Sequence, residues 1–294
     1  MGGAVKAEFR KFFSTRMWWG MAIGVFLAGA LFAVLFALVV AGSRQQGGPG
    51  GGGPRLPGLD NASMVSTVYT AGLSIAYLLT LVVGVMSIGS EYRHKTITST
   101  FLSTPKRVRV MVAKVISLLG IGAFYGVVFL VGSVSVGGAA IAIKGFSPFP
   151  DTGPIARALG LSLLVLGLWS LVGLGAGILI PNQVAAILIA VGAAFIVEPL
   201  AGFLLSLVSW GHSIVPYMPS QATAAMVGQV NTSATVQPLS WWAGALVLVA
   251  YAAVLAGIGS VLTVRRDVTR PDDLTTAASN QRRTQTWSRA CPIG

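Results

Sequence analysis

Two long runs free of charged residues, 61–90 and 115–143, flank a segment rich in charge, GSEYRHKTITSTFLSTPKRVRVMVAK at 89–114. Each run exceeds the roughly 20 apolar helical residues needed to cross a hydrocarbon core of ~30 Å, so each predicts a membrane span. The segment between them is then a loop on one face. It carries Arg93, Lys95, Lys106, Arg107, Arg109 and Lys114 against one acid, Glu91, and such an excess of cations close to span ends marks the cytoplasmic side. Within it, Thr104-Pro105 predicts a helix start, because Thr caps well and Pro suits the first helical position. Residues 93–103 are left as a short, partly apolar element below the membrane. Ile97, Phe101 and Leu102 on that element need a cover, which the membrane surface, neighbouring spans or a docked soluble partner would each provide.

The remaining chain extends the same pattern. Over 4–16, Val5, Phe9, Phe12 and Phe13 recur at helical spacing among Lys6, Arg10, Lys11 and Arg16, which predicts an interfacial amphipathic helix. The same residues also serve as a basic flank orienting the first span. Trp18 and Trp19 follow at the level of an aromatic belt. The first span covers 17–41, and the Gly- and Pro-rich stretch after it predicts a mobile loop. Spans at about 68–90 and 115–142 come next, the latter carrying Gly120, Gly122, Gly126, Gly132, Gly137 and Gly138. Small residues of this kind let helices approach closely in lipid. A Pro-containing loop at 144–157 leads to the fourth span, 158–180, with Gly167, Gly173, Gly175 and Gly177, and Pro181-Asn182-Gln183 turns the chain into the fifth, 184–207.

That fifth span is interrupted by Glu198-Pro199, about 14 residues or ~21 Å along the helix. An intramembrane carboxylate is a functional-site candidate, but a helix break at Pro199 would leave Glu198 near the outer interface. A structural role, break or hydrogen-bonding partner, and a direct role in transport both remain open. From 201 to 240 the apolar pattern is punctuated by Trp210, Gly211, His212, Pro216, Pro219 and Pro238, as two short re-entrant pieces would be. The lone His212 has no metal-ligand companion nearby. The sixth span, 241–264, opens on Trp241-Trp242 and closes on Arg265-Arg266, and 267–294 is polar and unpatterned, as a disordered tail is.

Composition agrees: 54% of residues are hydrophobic and 10% charged, with a mean hydropathy of +0.78, whereas soluble domains carry about 25% charged residues. The net charge of +12 is a matter of topology. With six spans and both termini on one face, sixteen cations fall on the cytoplasmic side and four, Arg44, Arg55, Lys144 and Arg157, on the other. Nucleic acid is therefore not an expected partner; the lipid bilayer is. Cys291 is the only cysteine, which excludes an intrachain disulfide. The first apolar run is too long for a signal-peptide core and lacks a cleavage site.

Catalytic chemistry is missing. The glycines at 47–53 lack the strand, Lys-Ser/Thr pair and helix of a phosphate loop, and at Lys95-Thr96 the required preceding glycine is His94. No metal or cofactor motif appears, and the spans lack the acid and base pairs of an ion-coupled carrier, Glu198 standing alone near mid-membrane. The chain is expected not to be an enzyme. Any energy for transport would come from a separate subunit bound at the central loop.

Six spans, the basic N-terminal segment, the loop Glu91-Tyr92-Arg93-His94-Lys95-Thr96-Ile97 with Leu102-Ser103-Thr104-Pro105 and Lys114, and a broken apolar stretch before the last span together resemble the type 2 ABC-transporter permeases of bacteria. These are membrane subunits of drug, antibiotic and lipid or polysaccharide exporters. The resemblance covers about residues 4–266 and is most specific in the loop, where Lys95 stands at a position that is Gly in many relatives.

It implies an all-α polytopic membrane protein with six transmembrane helices, an N-terminal amphipathic connecting helix at 1–16 and re-entrant helices before the last span. The six-span domain is 17–266, the coupling loop 91–114 and the tail 267–294. Glu91, Tyr92, Arg93, Thr96, Phe101 and Leu102 would couple to the ATPase; Phe9, Arg10 and Phe12 would belong to the connecting helix; Glu198 and Pro199 would stand at the outer gate. The implied partners are ABC ATPase subunits, which would hold the ATP and Mg, and a second permease protomer, identical or related, with spans two and five lining the path. The implied location is the bacterial plasma membrane, both termini cytoplasmic. The alternatives are a multi-span anchor or sensor that recruits a cytoplasmic partner, against which six spans and a re-entrant segment weigh, and a self-contained carrier, against which the scarcity of intramembrane charge weighs.

Overall fold

In a computed structural model the chain is helical throughout the residues it describes, 2–45, 58–93, 107–230 and 237–268, with no strand among them. In order they form α1 (Gly2–Phe13), α2 (Met17–Gln45), α3 (Ala62–Thr70), α4 (Leu73–Arg93), α5 (Arg107–Ile143) and α6 (Thr152–Leu179). Then come α7 (Gln183–Gly192), a π turn (Ala193–Val197), α8 (Glu198–Ser206), two 3₁₀ turns (Gly211–Ser213 and Val215–Tyr217), α9 (Pro219–Val227) and α10 (Trp241–Val268). Six stretches of the described helices are long and apolar enough to cross a membrane: Met17–Gly42, Leu73–Ser90, Met111–Ile143, Thr152–Leu179, Gln183–Ser206 and Trp241–Gly259.

Local chemistry sets the helix ends. Asn61, Asp151 and Asn182 each turn a side-chain oxygen onto a backbone N–H of the first turn of α3, α6 and α7, supplying partners for donors that have none inside the helix. The uncharged run 61–90 is divided at Ala71-Gly72. Its first part, α3, precedes the candidate span, which begins at Leu73; Met64 to Thr70 are all buried, packed with Ala33, Ala37, Ile141 and Ile155 in a small core at one end of the bundle.

Proline 199 does not break the fifth span. Its ring removes one donor from the ladder, and the helix widens before it, the Glu198 N–H bonding to the carbonyl of Ala193 five residues back. The result is one continuous apolar helix, Gln183–Ser206. The expected helix break at Pro199 is therefore not found, and Glu198 stands within this helix, eight residues before its last residue, Ser206. After it, the punctuated stretch holds two 3₁₀ turns and the single helix α9, with residues 231–236 outside those described. The expected disordered tail lies outside the described residues from 269 onward, and helix α10 runs on to Val268.

Helix α6 is the hub, packed against α3, α4, α5, α9 and α10. The contact with α4 is backbone to backbone. A Cβ added at Gly84 would stand 1.9 Å from the Ser170 carbonyl oxygen, and one at Gly173 would stand 2.0 Å from that of Leu81. The glycines of 120–138 likewise meet neighbours: Gly122 meets Gly167, Gly126 meets Leu163, Gly132 meets Phe26, and Gly137 meets Ala33 and Tyr69.

The bundle has two ends. Glu8 of α1, Lys114, Ser87, Gly89 and Gln183 meet at one, where Gly259 of α10 also packs on Leu179. Tyr69, Pro148, Thr67 and Val230 meet at the other.

If α4 and α6 depend on that approach, Gly84→Leu should destabilise the purified protein by about 1–3 kcal/mol or more, since inserted carbons force a packed interface apart. Gly160→Ala, where an added Cβ meets nothing, should cost no stability. Thermal melts of both variants in one detergent check the contrast.

Candidate functional site

The end of the bundle beside residues 94–106 is built around Lys114. Its side chain is 1% exposed, and its Nζ lies 2.8 Å from Glu8 Oε2 and within 3.4–3.5 Å of the carbonyl and hydroxyl oxygens of Ser87. One ammonium thus joins α1, α4 and α5. A buried ammonium is costly unless paired and hydrogen-bonded, and Glu8 supplies the opposite charge while also lying 3.6 Å from Lys11 Nζ.

Aromatic packing seats the same helix. Phe9 presses its ring on Gly120, where no Cβ intervenes. Phe12 meets Tyr125 edge-on at 6.0 Å, and Phe13 meets Phe124 at 5.5 Å and Trp18 at 5.6 Å. Of the N-terminal residues singled out from the sequence, Phe9 and Phe12 pack inward, while Arg10 is exposed beside Lys6 and Lys11. A cavity of about 240 Å³ lies between α1 and the spans, lined by Glu8, Lys11, Phe12, Ser87, Ser117 and Gln183 among others.

Glu91, Tyr92 and Arg93 form the last residues of α4, one turn beyond Ser87. Thr96, Phe101 and Leu102, and with them the Thr104-Pro105 helix start, lie outside the described residues. Glu8 is the functional residue that sequence reading passed over. It is the only acid among the first 59 residues and shares a helical face with Phe9 and Phe12, which is the signal that points to an inward partner.

Glu198 and Pro199 sit apart from this end. Glu198 Oε1 accepts the backbone N–H of Ser220 in the first turn of α9, where a negative group complements the unpaired donors of a helix start. Trp169 holds the same helix from the other side, its Nε1 donating to Thr223 Oγ1 at 2.8 Å while that hydroxyl donates to the Pro219 carbonyl. The indole stacks on Tyr77 at 4.0 Å. His212 bonds the Ser206 carbonyl oxygen through Nε2 at 2.9 Å. The described residues hold no group of three or more potential metal ligands.

The chain matches no family model, no curated protein and no solved structure. The fold and site define a class and no more: a helical protein whose described residues include six helical stretches long and apolar enough to span a membrane.

Glu8→Ala should remove the carboxylate that meets Lys114 Nζ at 2.8 Å and destabilise the protein by about 3 kcal/mol. Glu8→Ala with Lys114→Met should recover part of that loss. Melting temperatures of the two single variants and the double variant check it; additive losses would mean that the pair is not coupled.

Proposed function

We propose that this chain is the membrane-spanning permease subunit of an ATP-driven bacterial exporter of the type 2 ABC class. It works as a dimer in the plasma membrane with its termini in the cytoplasm. The observation that carries the reading is the joint at Lys114. The proposed coupling loop, 91–114, spans the end of α4 and the start of α5, and Lys114, its last residue, binds both of these helices to α1. A force applied to the loop is therefore borne by three helices at once.

In this reading α1 is an amphipathic connecting helix at the cytoplasmic interface, with exposed Lys6, Arg10 and Lys11 toward the headgroups. Glu91, Tyr92, Arg93, Thr96, Phe101 and Leu102 engage the ATPase. The 3₁₀ turns and α9 serve as the re-entrant element that closes the outer end, with Glu198 and Pro199 beside it at the gate. The exposed apolar surface of Gln183–Ser206, including Leu188, Phe195 and Phe203, is available to the second protomer or to lipid. Work comes from ATP bound with Mg on separate ATPase subunits; this chain holds helices in register and moves them.

A tagged chain extracted in mild detergent from its native host should bring down an ATPase whose activity is measurable in the eluate. Glu91→Ala with Phe101→Ala should lose that subunit or uncouple its activity. An intact wild-type preparation with no associated ATPase would favour an anchor or a self-contained carrier instead.

A further inference from the structure

A cavity of about 330 Å³ opens beside Glu198, between α6, the segment 189–198, the start of α9 and α10. Its walls are apolar, with Trp169, Val172, Ala194, Met218 and Leu255 among them. Glu198 is its only acid, and no Lys, Arg or His lines it. The rim residues Ile189, Val197 and Tyr251 are exposed and lie within span helices. The mouth therefore faces the flank of the bundle, where lipid lies, and not the water at either end.

Apolar ligand sites with a few placed polar groups bury small molecules from about 300 Å³ upward. Here the placed group is a carboxylate met by the neutral N–H of Ser220, and no cation among the described residues forms an ion pair with it. A carboxylate in such surroundings is expensive without a countercharge. Trp169 and Tyr251 stand in the same wall, and aromatic rings attract a desolvated cation. The π turn Ala193–Val197 contributes Ala193, Ala194 and Val197 to the wall, and such turns are frequent at functional sites.

From these features we propose that the Glu198 cavity binds an amphiphilic organic cation taken from the bilayer. The apolar body fills the space left by the small side chains of the π turn. The positive centre pairs with Glu198. The site lies within one chain and needs neither ATP nor a second subunit to bind, so its test is separate from that of the exporter reading.

The full chain in phosphatidylcholine nanodiscs, titrated with radiolabelled tetraphenylphosphonium, should show saturable binding to one site per chain. The neutral, similarly shaped triphenylphosphine oxide should compete poorly. Glu198→Gln keeps a carbonyl oxygen for the Ser220 N–H and should weaken binding by roughly 30-fold or more, the low end of what losing one partner of a desolvated charge pair costs. Ala194→Phe leaves the carboxylate in place and should block binding by filling the cavity, which keeps the proposal open to test should the first variant fold poorly. Absence of saturable binding to the wild type, unchanged affinity in the variants, or equal competition by the neutral compound would overturn it.

Discussion

The contact between α4 and α6 governs what the rest of the bundle can be. Hydrocarbon gives helices no hydrophobic reason to associate, so packing has to come from close van der Waals fit. Gly84 and Gly173 provide it reciprocally, each placing its own α-carbon where the other helix presents a carbonyl. With α4 held that close, α6 takes the centre, its buried residues running from Ile155 to Ile178. The other spans arrange themselves around it: α5 through Gly122 and Gly167, α10 through Gly175 and Gly259. The fifth span, Gln183–Ser206, is left on the outside, with Val184, Leu188, Val197 and Leu204 on its flank exposed.

A bundle built this way has little room for polar side chains, and each one inside it is answered. No buried side-chain nitrogen or oxygen among the described residues lacks a hydrogen bond. Ser and Thr hydroxyls turn back on carbonyls of their own helices, as Thr70 does on Ser66 and Ser117 on Ala113. Other polar groups reach between elements, among them Lys114 with Glu8 at one end, Tyr69 with Pro148 at the other, and Trp169 with Thr223 between them. Lys114 ties α1, and Trp169 ties α9, to the long helices, which gives those short elements fixed positions that apolar packing alone would not specify.

Much of this architecture is legible in the chain. Long apolar runs, uncharged except for Glu198 in the fifth, announce six candidate spans, and the glycines clustered in 120–138 and 167–177 announce contacts, because in lipid a missing side chain is the main means of approach. What is not legible has a physical cause. The division of 61–90 at Ala71-Gly72 depends on Gly72 meeting the Ala28 carbonyl, a tertiary contact that leaves no local signature. Pro199 reads as a break, yet a widened turn before it carries the helix through, the Glu198 N–H bonding to the Ala193 carbonyl. Glu8 sits in a basic stretch whose Lys6, Arg10 and Lys11 are exposed, and the face it shares with Phe9 and Phe12 hints at an inward partner without naming it; Lys114 is 106 residues away in sequence.

The proposed permease requires α1 and residues 94–106 to share one side of the membrane, opposite the turn that carries Ser147. In a Cys291→Ser background, which leaves no native cysteine, Ser14→Cys, Thr104→Cys and Ser147→Cys can be labelled singly with a membrane-impermeant maleimide in vesicles of known orientation. Ser14→Cys and Thr104→Cys should react from the cytoplasmic side only and Ser147→Cys from the outer side only. Labelling of Thr104→Cys from outside, or of Ser147→Cys from the same side as Thr104→Cys, would contradict the account.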